Sequence, residues 1–151
     1  MMRASRALSL AGLAAALIIV ACGDDQPSAA PSNTGQSCES ADQCFAGVEA
    51  GALIGDAVCL DKVPGGYCTH SCTADTDCCA VPGECPRGLP EVCGPFESTG
   101  QMDCFLSCEG ADLQRAGYTD GNAYCAYYAS AAFICRSTGG GSNNRKVCVP
   151  N

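Results

Sequence analysis

Cysteine offers the most chemistry in this chain, because its side chain can form disulfides, bind metals, attack substrates or carry a lipid. The 151 residues include 15 cysteines, which is about a tenth of the chain, and a single histidine, His70. No two cysteines have the C-x2-C spacing that zinc knuckles and thioredoxin-like redox sites usually use. Such a content is typical of exported disulfide scaffolds, so most cysteines are predicted to be structural.

The segment before Cys22 has the pattern of an export signal. Arg3 and Arg6 precede the uncharged apolar run 7–20, which is shorter than the ~20 residues that span a bilayer. The segment closes with Ile-Val-Ala-Cys, which resembles the lipobox of bacterial lipoprotein precursors. The resemblance implies that the signal peptide, 1–21, is removed and that Cys22 is acylated, which would anchor the chain in a membrane. The alternative is an ordinary cleaved signal peptide with Cys22 in a disulfide.

The residues after Cys22 indicate which membrane would hold the anchored chain. In the lipoproteins that the motif resembles, Asp directly after the acylated cysteine favours the inner membrane. Here Gly23 follows, and Asp24 and Asp25 come later, so we expect a bacterial cell-envelope location with the outer membrane preferred. Residues 22–36 lack large apolar side chains and are rich in Pro, Ser, Ala and Asp, which predicts a flexible tether.

The charge balance narrows the class of partner. All 16 acidic residues but only six of the eight basic ones follow the predicted cleavage site. An acidic domain is unsuited to nucleic acid and to anionic lipid surfaces, so we expect no nucleic-acid partner and membrane contact through the lipid alone. The partner classes that suit this charge are a protein or a glycan, and the sequence does not identify which. Few large apolar side chains are available, so disulfides are predicted to supply much of the stability of the domain 37–151.

A cysteine repeat divides that domain into three related units, 38–68, 72–104 and 108–148. The first two units begin with C-x5-C, whereas Gln114 stands where the third unit would have its second cysteine. The units hold four, six and four cysteines, so every cysteine can pair within its own unit. The connectivity stays open at this point, except that adjacent Cys78 and Cys79 are expected to bridge to different partners. The predicted disulfide cysteines are Cys38, Cys44, Cys59, Cys68, Cys72, Cys78, Cys79, Cys85, Cys93, Cys104, Cys108, Cys125, Cys135 and Cys148.

The predicted fold class is a small disulfide-rich domain, irregular, with short β-hairpins. A Pro-Gly-Gly turn at 64–66 lies between the strand-like segments 58–60 and 67–68, which predicts a hairpin. The best helix candidate is 122–134, preceded by a capping residue near Asp120, with a strand as the alternative. A final strand is predicted near the C-terminus, over 146–149.

Four further features could do chemistry, and each has a plainer interpretation. His70 could join a metal site, but a surface histidine in a bridged loop is the preferred interpretation. Asp75 and Asp77 could bind calcium, but they are better explained as solvated turn carboxylates. The bridged loop 81–87 could inhibit a protease. An aromatic group could form a recognition surface or cover the disulfides of the third unit; its members are Tyr118, Tyr124, Tyr127, Tyr128 and Phe133.

The cysteine pattern resembles the repeats of Cys-rich bacterial lipoproteins over 38–148. It is similar, more weakly, to the Dickkopf amino-terminal Cys-rich domain, and the segment 68–85 to part of a whey-acidic-protein inhibitor module. These resemblances imply no activity. The sequence therefore predicts a lipid-anchored, disulfide-stabilised envelope protein with a binding or structural role, without catalysis, metal or cofactor. The alternative is a protease inhibitor that uses the loop 81–87.

Overall fold

Three antiparallel β-hairpins form the framework of the protein. The computed structural model describes residues 33–96, 100–139 and 141–151. Each hairpin is a two-stranded sheet of its own, and in each one a cysteine lies directly opposite another cysteine. The strands are β1 (Ala57–Cys59), β2 (Cys68–His70), β3 (Glu91–Pro95), β4 (Met102–Leu106), β5 (Phe133–Ser137) and β6 (Lys146–Pro150); the helices are α1 (Gly110–Arg115) and α2 (Gly121–Tyr128).

The disulfides repeat one pairing scheme in every unit. The first cysteine of a unit bridges to the first strand of its hairpin and the second to the second strand, so both strands are tied to the segment before them. The second unit adds one bridge inside a loop. All fourteen described cysteines are paired, within units, as Cys38–Cys59, Cys44–Cys68, Cys72–Cys93, Cys78–Cys104, Cys79–Cys85, Cys108–Cys135 and Cys125–Cys148. The predicted fold class, disulfide-rich with short hairpins, is confirmed.

The third unit keeps this scheme although its second cysteine is displaced. Gln114, at the expected position, lies in α1 and forms no bridge. Cys125 in α2 takes over the role and bridges to Cys148 in β6. The two helices are therefore an insertion that moves the cysteine along the chain without changing which strand it holds.

The helix predicted over 122–134 is shorter than expected. Asp120 caps α2 through hydrogen bonds that its carboxylate accepts from the backbone N–H groups of Asn122 and Ala123. The helix ends at Tyr128, and the chain becomes extended from Phe133. The prediction was wrong in this last part because β5 pairs with β6 and carries a bridged cysteine, which requires extended backbone.

A small aromatic core joins the three units. Tyr67, from the first unit, and Phe105, in β4, are fully buried, with ring centroids 5.5 Å apart. Tyr67 also stacks on Phe133 of the third unit at 6.0 Å. Burial raises the pKa of Tyr67. Tyr67 therefore touches an aromatic ring from each of the other two units.

The first described residues belong to the fold, although the sequence assigns them to the tether. Asn33 is buried, and its side-chain amide donates to the backbone carbonyls of Gly83 and Glu84, at 2.7 and 2.6 Å. The backbone of Gly35 and Gln36 exchanges hydrogen bonds with Cys68. Residues 33–36 therefore belong to the folded domain and not to the tether predicted over 22–36.

The predicted signal peptide, 1–21, and the lipidation residue Cys22 lie outside the described residues, as does most of the tether. Among the helices of the described part of the chain, neither is long and apolar enough to cross a bilayer. The anchor proposed at Cys22 therefore stays a prediction.

Candidate functional site

His70 lies at a fully buried position at the end of β2, so the prediction of a surface histidine was wrong. Its Nδ1 atom is 2.9 Å from the carbonyl oxygen of Ile54 and 3.1 Å from that of Ser71. Its Nε2 atom is 2.8 Å from a carboxylate oxygen of Glu84, which is also fully buried. Each ring nitrogen thus lies within hydrogen-bond distance of at least one oxygen. Phe45 packs edge-on against the ring.

Glu84 organises the loop that the sequence offers as inhibitory. One carboxylate oxygen accepts a hydrogen bond from the backbone N–H of Cys79, and the other accepts from Val81 at 3.0 Å. With His70 as a third partner, the carboxylate is satisfied and closed to solvent. Sequence reasoning missed this residue, because one acidic side chain in a turn-rich loop looks solvated and its spacing from His70 indicates no contact.

Metal binding by cysteine finds no free thiolate among the described residues. A ring nitrogen of His70 and the sulfurs of Cys78 and Cys104 lie within 4.8 Å of one another, but these two cysteines are bonded to each other. The same holds where Glu91 approaches two sulfurs, because both belong to one bridge. A sulfur already in a disulfide is not a thiolate ligand.

The carboxylates of Asp75 and Asp77 do not converge on a common point. Asp77 accepts from the backbone N–H groups of Thr73 and Ala74, at 2.7 and 3.0 Å, and hydrogen bonding lowers its pKa. Asp75 instead pairs with Arg145 and accepts from the backbone N–H of a β3 residue. Partial burial acts to raise the pKa of Asp75, but the hydrogen bonds from Arg145 and β3 outweigh it and lower the pKa. Asp75 is therefore an ion-pair partner as well as a turn carboxylate.

Arg145 joins the second and third units electrostatically. Its guanidinium contacts Asp75 at 2.8 Å and Glu109 at 2.6 Å, and it also donates to the carbonyl oxygen of Cys93. The hydrogen bonds that it donates to these two carboxylates raise the pKa of Arg145. Its alkyl stem fills the space beside Gly94, where an added Cβ would lie 2.9 Å from the Arg145 Cγ.

The loop 81–87 is compact. Two tight turns close it, with backbone hydrogen bonds from Glu84 to Val81 and from Gly88 to Cys85. Protease-inhibiting loops bind in extended form along the enzyme, like an added strand. The turns and the inward-facing Glu84 carboxylate give this loop a different shape.

A small open cleft of about 40 Å³ lies between this loop and the end of α2. Arg87, Leu89, Glu91 and Tyr128 line it, together with Thr34. The Thr34 hydroxyl donates to a Glu91 carboxylate oxygen at 2.9 Å, and Arg87 donates to the backbone carbonyl of Tyr128. Burial raises the pKa of Glu91 to about 8, although the hydrogen bond from Thr34 acts in the opposite direction.

The predicted aromatic group separates into a surface part and a core part. Phe133 lies in the core, where it stacks on Tyr67. Tyr124 is fully buried, and burial raises its pKa to about 12. Tyr118, Tyr127 and Tyr128 pack on one another with centroids 4.8–6.3 Å apart; Tyr128 meets the other two rings edge to face, and Tyr127 is 53% exposed. We call these last three residues the tyrosine patch.

The chain matches no known family model, no curated protein and no solved structure. The resemblances to Cys-rich bacterial lipoproteins and to the Dickkopf domain therefore stay predictions from cysteine spacing. The features of the described residues that bear on function are the bridges, the tyrosine patch and the cleft that adjoins the patch through Tyr128.

Proposed function

We propose that this chain is a cell-envelope protein, held at a membrane by lipid on Cys22, that binds a protein or glycan partner through the tyrosine patch. The observation that carries the proposal is the disulfide framework. Seven bridges persist only where thiols are oxidised, which for a bacterial chain means outside the cytosol. The apolar run 7–20 and the lipobox-like motif at Cys22 supply the export signal and the anchor that such a location requires.

The tyrosine patch is the part of the surface best suited to recognition. Tyrosine gives a large contact area and a hydrogen-bonding hydroxyl at low cost in side-chain entropy. Tyr127 is already braced by its neighbours Tyr118 and Tyr128, so little order has to be gained on binding. The cleft beside Tyr128 adds Arg87 and Glu91 at the edge of the patch, as polar groups that could select a partner.

The anchor is tested by metabolic labelling with an alkyne fatty acid in the native host. We expect label in the parent chain and in the tether variant Ser28→Ala, and none in Cys22→Ala. A Cys22→Ala protein that still carries the label would contradict the anchor.

The binding role is tested by adding the soluble Cys22→Ala chain to washed host cells. We expect saturable binding that falls at least about tenfold on Tyr127→Ala, because a central aromatic contact is commonly worth about 2 kcal/mol. Ile54→Ala is the matched control, since Ile54 is the other large exposed apolar side chain of the described residues, at 46%. Protease or periodate treatment of the cells distinguishes a protein from a glycan partner. Equal binding by all three chains would exclude the tyrosine patch.

A further inference from the structure

The Cys79–Cys85 bridge is the one that the repeat does not require. The other six described bridges follow one scheme in all three units, whereas this one closes a loop of the second unit alone. Phe45 follows Cys44 as Cys79 follows Cys78, and both Phe45 and Cys79 have left-handed backbone, with φ +58° and +66°. The first unit thus makes the same turn without a bridge at this position. Opening the bridge should therefore leave the backbone of the second unit in place.

Hydrogen bonds to Glu84 hold the same loop independently of the bridge. The Glu84 carboxylate accepts from the backbone N–H groups of Cys79 and Val81, and it lies 2.8 Å from a ring nitrogen of His70. None of these contacts involves a sulfur atom, and they tie the loop to the buried end of β2. The two cysteines should therefore stay close together after reduction, as reversible exchange requires.

The sulfurs of this bridge are open to an attacking group. Among the seven described bridges, this is the only one in which neither cysteine is buried. A surface cavity of about 490 Å³ is lined by Cys79, Cys85 and Glu91 together. Thiol–disulfide exchange needs access of a thiolate to one sulfur of the bridge. The second unit therefore exposes its additional bridge where the bridges of the repeat are covered on at least one side.

A carboxyl group lies beside the two sulfurs. One carboxylate oxygen of Glu91 and the sulfurs of Cys79 and Cys85 all lie within 4.8 Å of one another. Thr34 donates a hydrogen bond to a Glu91 oxygen at 2.9 Å. Burial raises the pKa of Glu91 to about 8, and the charge of Glu84 adds to this effect. The carboxyl is thus largely protonated at pH 7 and can give its proton to a sulfur that leaves as a thiolate.

We propose that Cys79–Cys85 is an exchangeable disulfide that accepts two electrons from a dithiol on a partner protein, with Glu91 as the proton donor. A partner thiolate attacks one sulfur and forms a mixed disulfide; the bond between the two cysteines breaks, and the leaving thiolate takes the Glu91 proton. The second partner thiolate then attacks the partner's own sulfur in the mixed disulfide and releases the other cysteine. The partner ends as a disulfide, and the two protons that its thiols lose balance the two that Cys79 and Cys85 gain. This chemical role goes beyond the binding role proposed above.

Timed reduction with dithiothreitol, a small dithiol, tests which bridge opens first on the full soluble chain carrying Cys22→Ala. Iodoacetamide quenches each sample, and peptide mapping by mass spectrometry identifies the cysteines that have become thiols. We expect Cys79–Cys85 to be reduced at least about tenfold faster than any other bridge, because its sulfurs are the most accessible. The circular dichroism of the tyrosines should stay unchanged while only this bridge is open. Earlier reduction of another bridge, or the loss of all bridges in one step, would overturn the proposal.

The variant Glu91→Gln separates proton donation from simple exposure of the sulfurs. We expect the variant to be reduced at Cys79–Cys85 at least about fivefold more slowly than the parent at pH 6.5, because the amide cannot act as a general acid. Glu49→Gln is the matched control, since Glu49 is an exposed carboxylate that lines neither adjoining cavity, and it should react like the parent. Equal rates in Glu91→Gln and the parent would overturn the proposal.

The pH dependence provides a readout in the parent chain itself. The rate of reduction per concentration of dithiothreitol thiolate should fall as the pH rises through about 8, because Glu91 loses its proton and its charge then repels the thiolate. Glu84, Arg87 and Tyr128 line the cleft beside Glu91, and the buried Tyr67 also feels its charge. These four groups remain in Glu91→Gln, which should lack the fall. A fall of equal size in the variant would assign the effect to one of them and overturn the role of Glu91.

Discussion

Two disulfides that begin at adjacent residues close loops of different length. Cys79–Cys85 spans six residues and Cys78–Cys104 spans 26. In the chain-entropy model, loops of these lengths are worth about 2.2 and about 3.5 kcal/mol. The other bridges of the second unit shorten the longer loop in the unfolded chain and bring its value nearer to about 3 kcal/mol. The entropic difference between the two bridges is therefore about 1 kcal/mol.

Packing increases that difference. Cys78 and Cys104 are buried in one apolar cluster, at 6% and 0% exposure, whereas the other bridge lies within a surface loop and is more exposed. Replacing a buried bridge with two alanines leaves a void that its neighbours fill only in part. We therefore expect the variant Cys78→Ala/Cys104→Ala to lose at least about 1 kcal/mol more of its unfolding free energy than Cys79→Ala/Cys85→Ala.

The assay is equilibrium unfolding in guanidinium chloride without reductant, followed by the circular dichroism of the tyrosines, since the chain has no tryptophan. Both variants carry Cys22→Ala, and intact mass before and after reduction verifies that each retains its other six bridges. Equal losses in the two variants, or a larger loss from the short loop, would refute this reasoning. It would mean that strain in the folded state, and not loop length and burial, sets the value of a bridge.

Three further changes have expected outcomes that unfolding experiments can measure. Burial raises the pKa of Asp103 to about 6 and that of Glu91 to about 8, so the folded chain keeps these protons after the unfolded chain has lost them. The free energy of unfolding should therefore fall as the pH rises from about 4 to about 8. Asp103→Asn should remove roughly 1–3 kcal/mol of that fall, and Glu91→Gln should remove the part of it that occurs at the higher pH values. Variants whose free energy of unfolding depends on pH in the same way as that of the parent would contradict both expectations. Arg145→Met should lower the free energy of unfolding by about 1–2 kcal/mol in low salt and by less in 1 M NaCl. A loss that is the same at both salt concentrations would exclude the ion pairs as its cause. Gly66→Ala should lower the melting temperature by several degrees, because Gly66 has φ +71° and an added Cβ would lie 2.0 Å from the carbonyl oxygen of Cys38; an unchanged value would contradict this close approach.

The cysteine positions carry much of the fold. Even counts in three units predict pairing within units, and the turn signals at 64–66 predict the first hairpin, because both depend on local spacing. The connectivity could not be predicted, since each unit allows several pairings until the strand register places Cys59 opposite Cys68. Cys125 illustrates the same limit: sequence shows that Gln114 breaks the repeat but not which residue replaces the missing cysteine.

The candidate sites were less accessible to sequence reasoning, because they depend on contacts between distant segments. His70 and Glu84 meet only because the first hairpin packs against the loop of the second unit. Asp103 has the pattern of a solvated residue in sequence, and only the packing of β4 shows that its carboxylate is buried with no hydrogen-bond partner among the described residues. The sequence did place Tyr127 in the predicted aromatic group. It did not show that Phe133 lies apart from the tyrosine patch, because Phe133 begins a strand where the sequence predicts the end of a helix.

The disulfide bridges stabilise the individual units, whereas side-chain contacts hold the units together. Every described disulfide closes inside one unit, so none of them holds one unit to another. The contacts between units include those of Tyr67 with Phe105 in β4 and with Phe133, the contact of His70 with Glu84, and the ion pair of Arg145 with Asp75. Oxidation therefore shapes each hairpin, while a few aromatic and charged side chains set how the hairpins stand relative to one another.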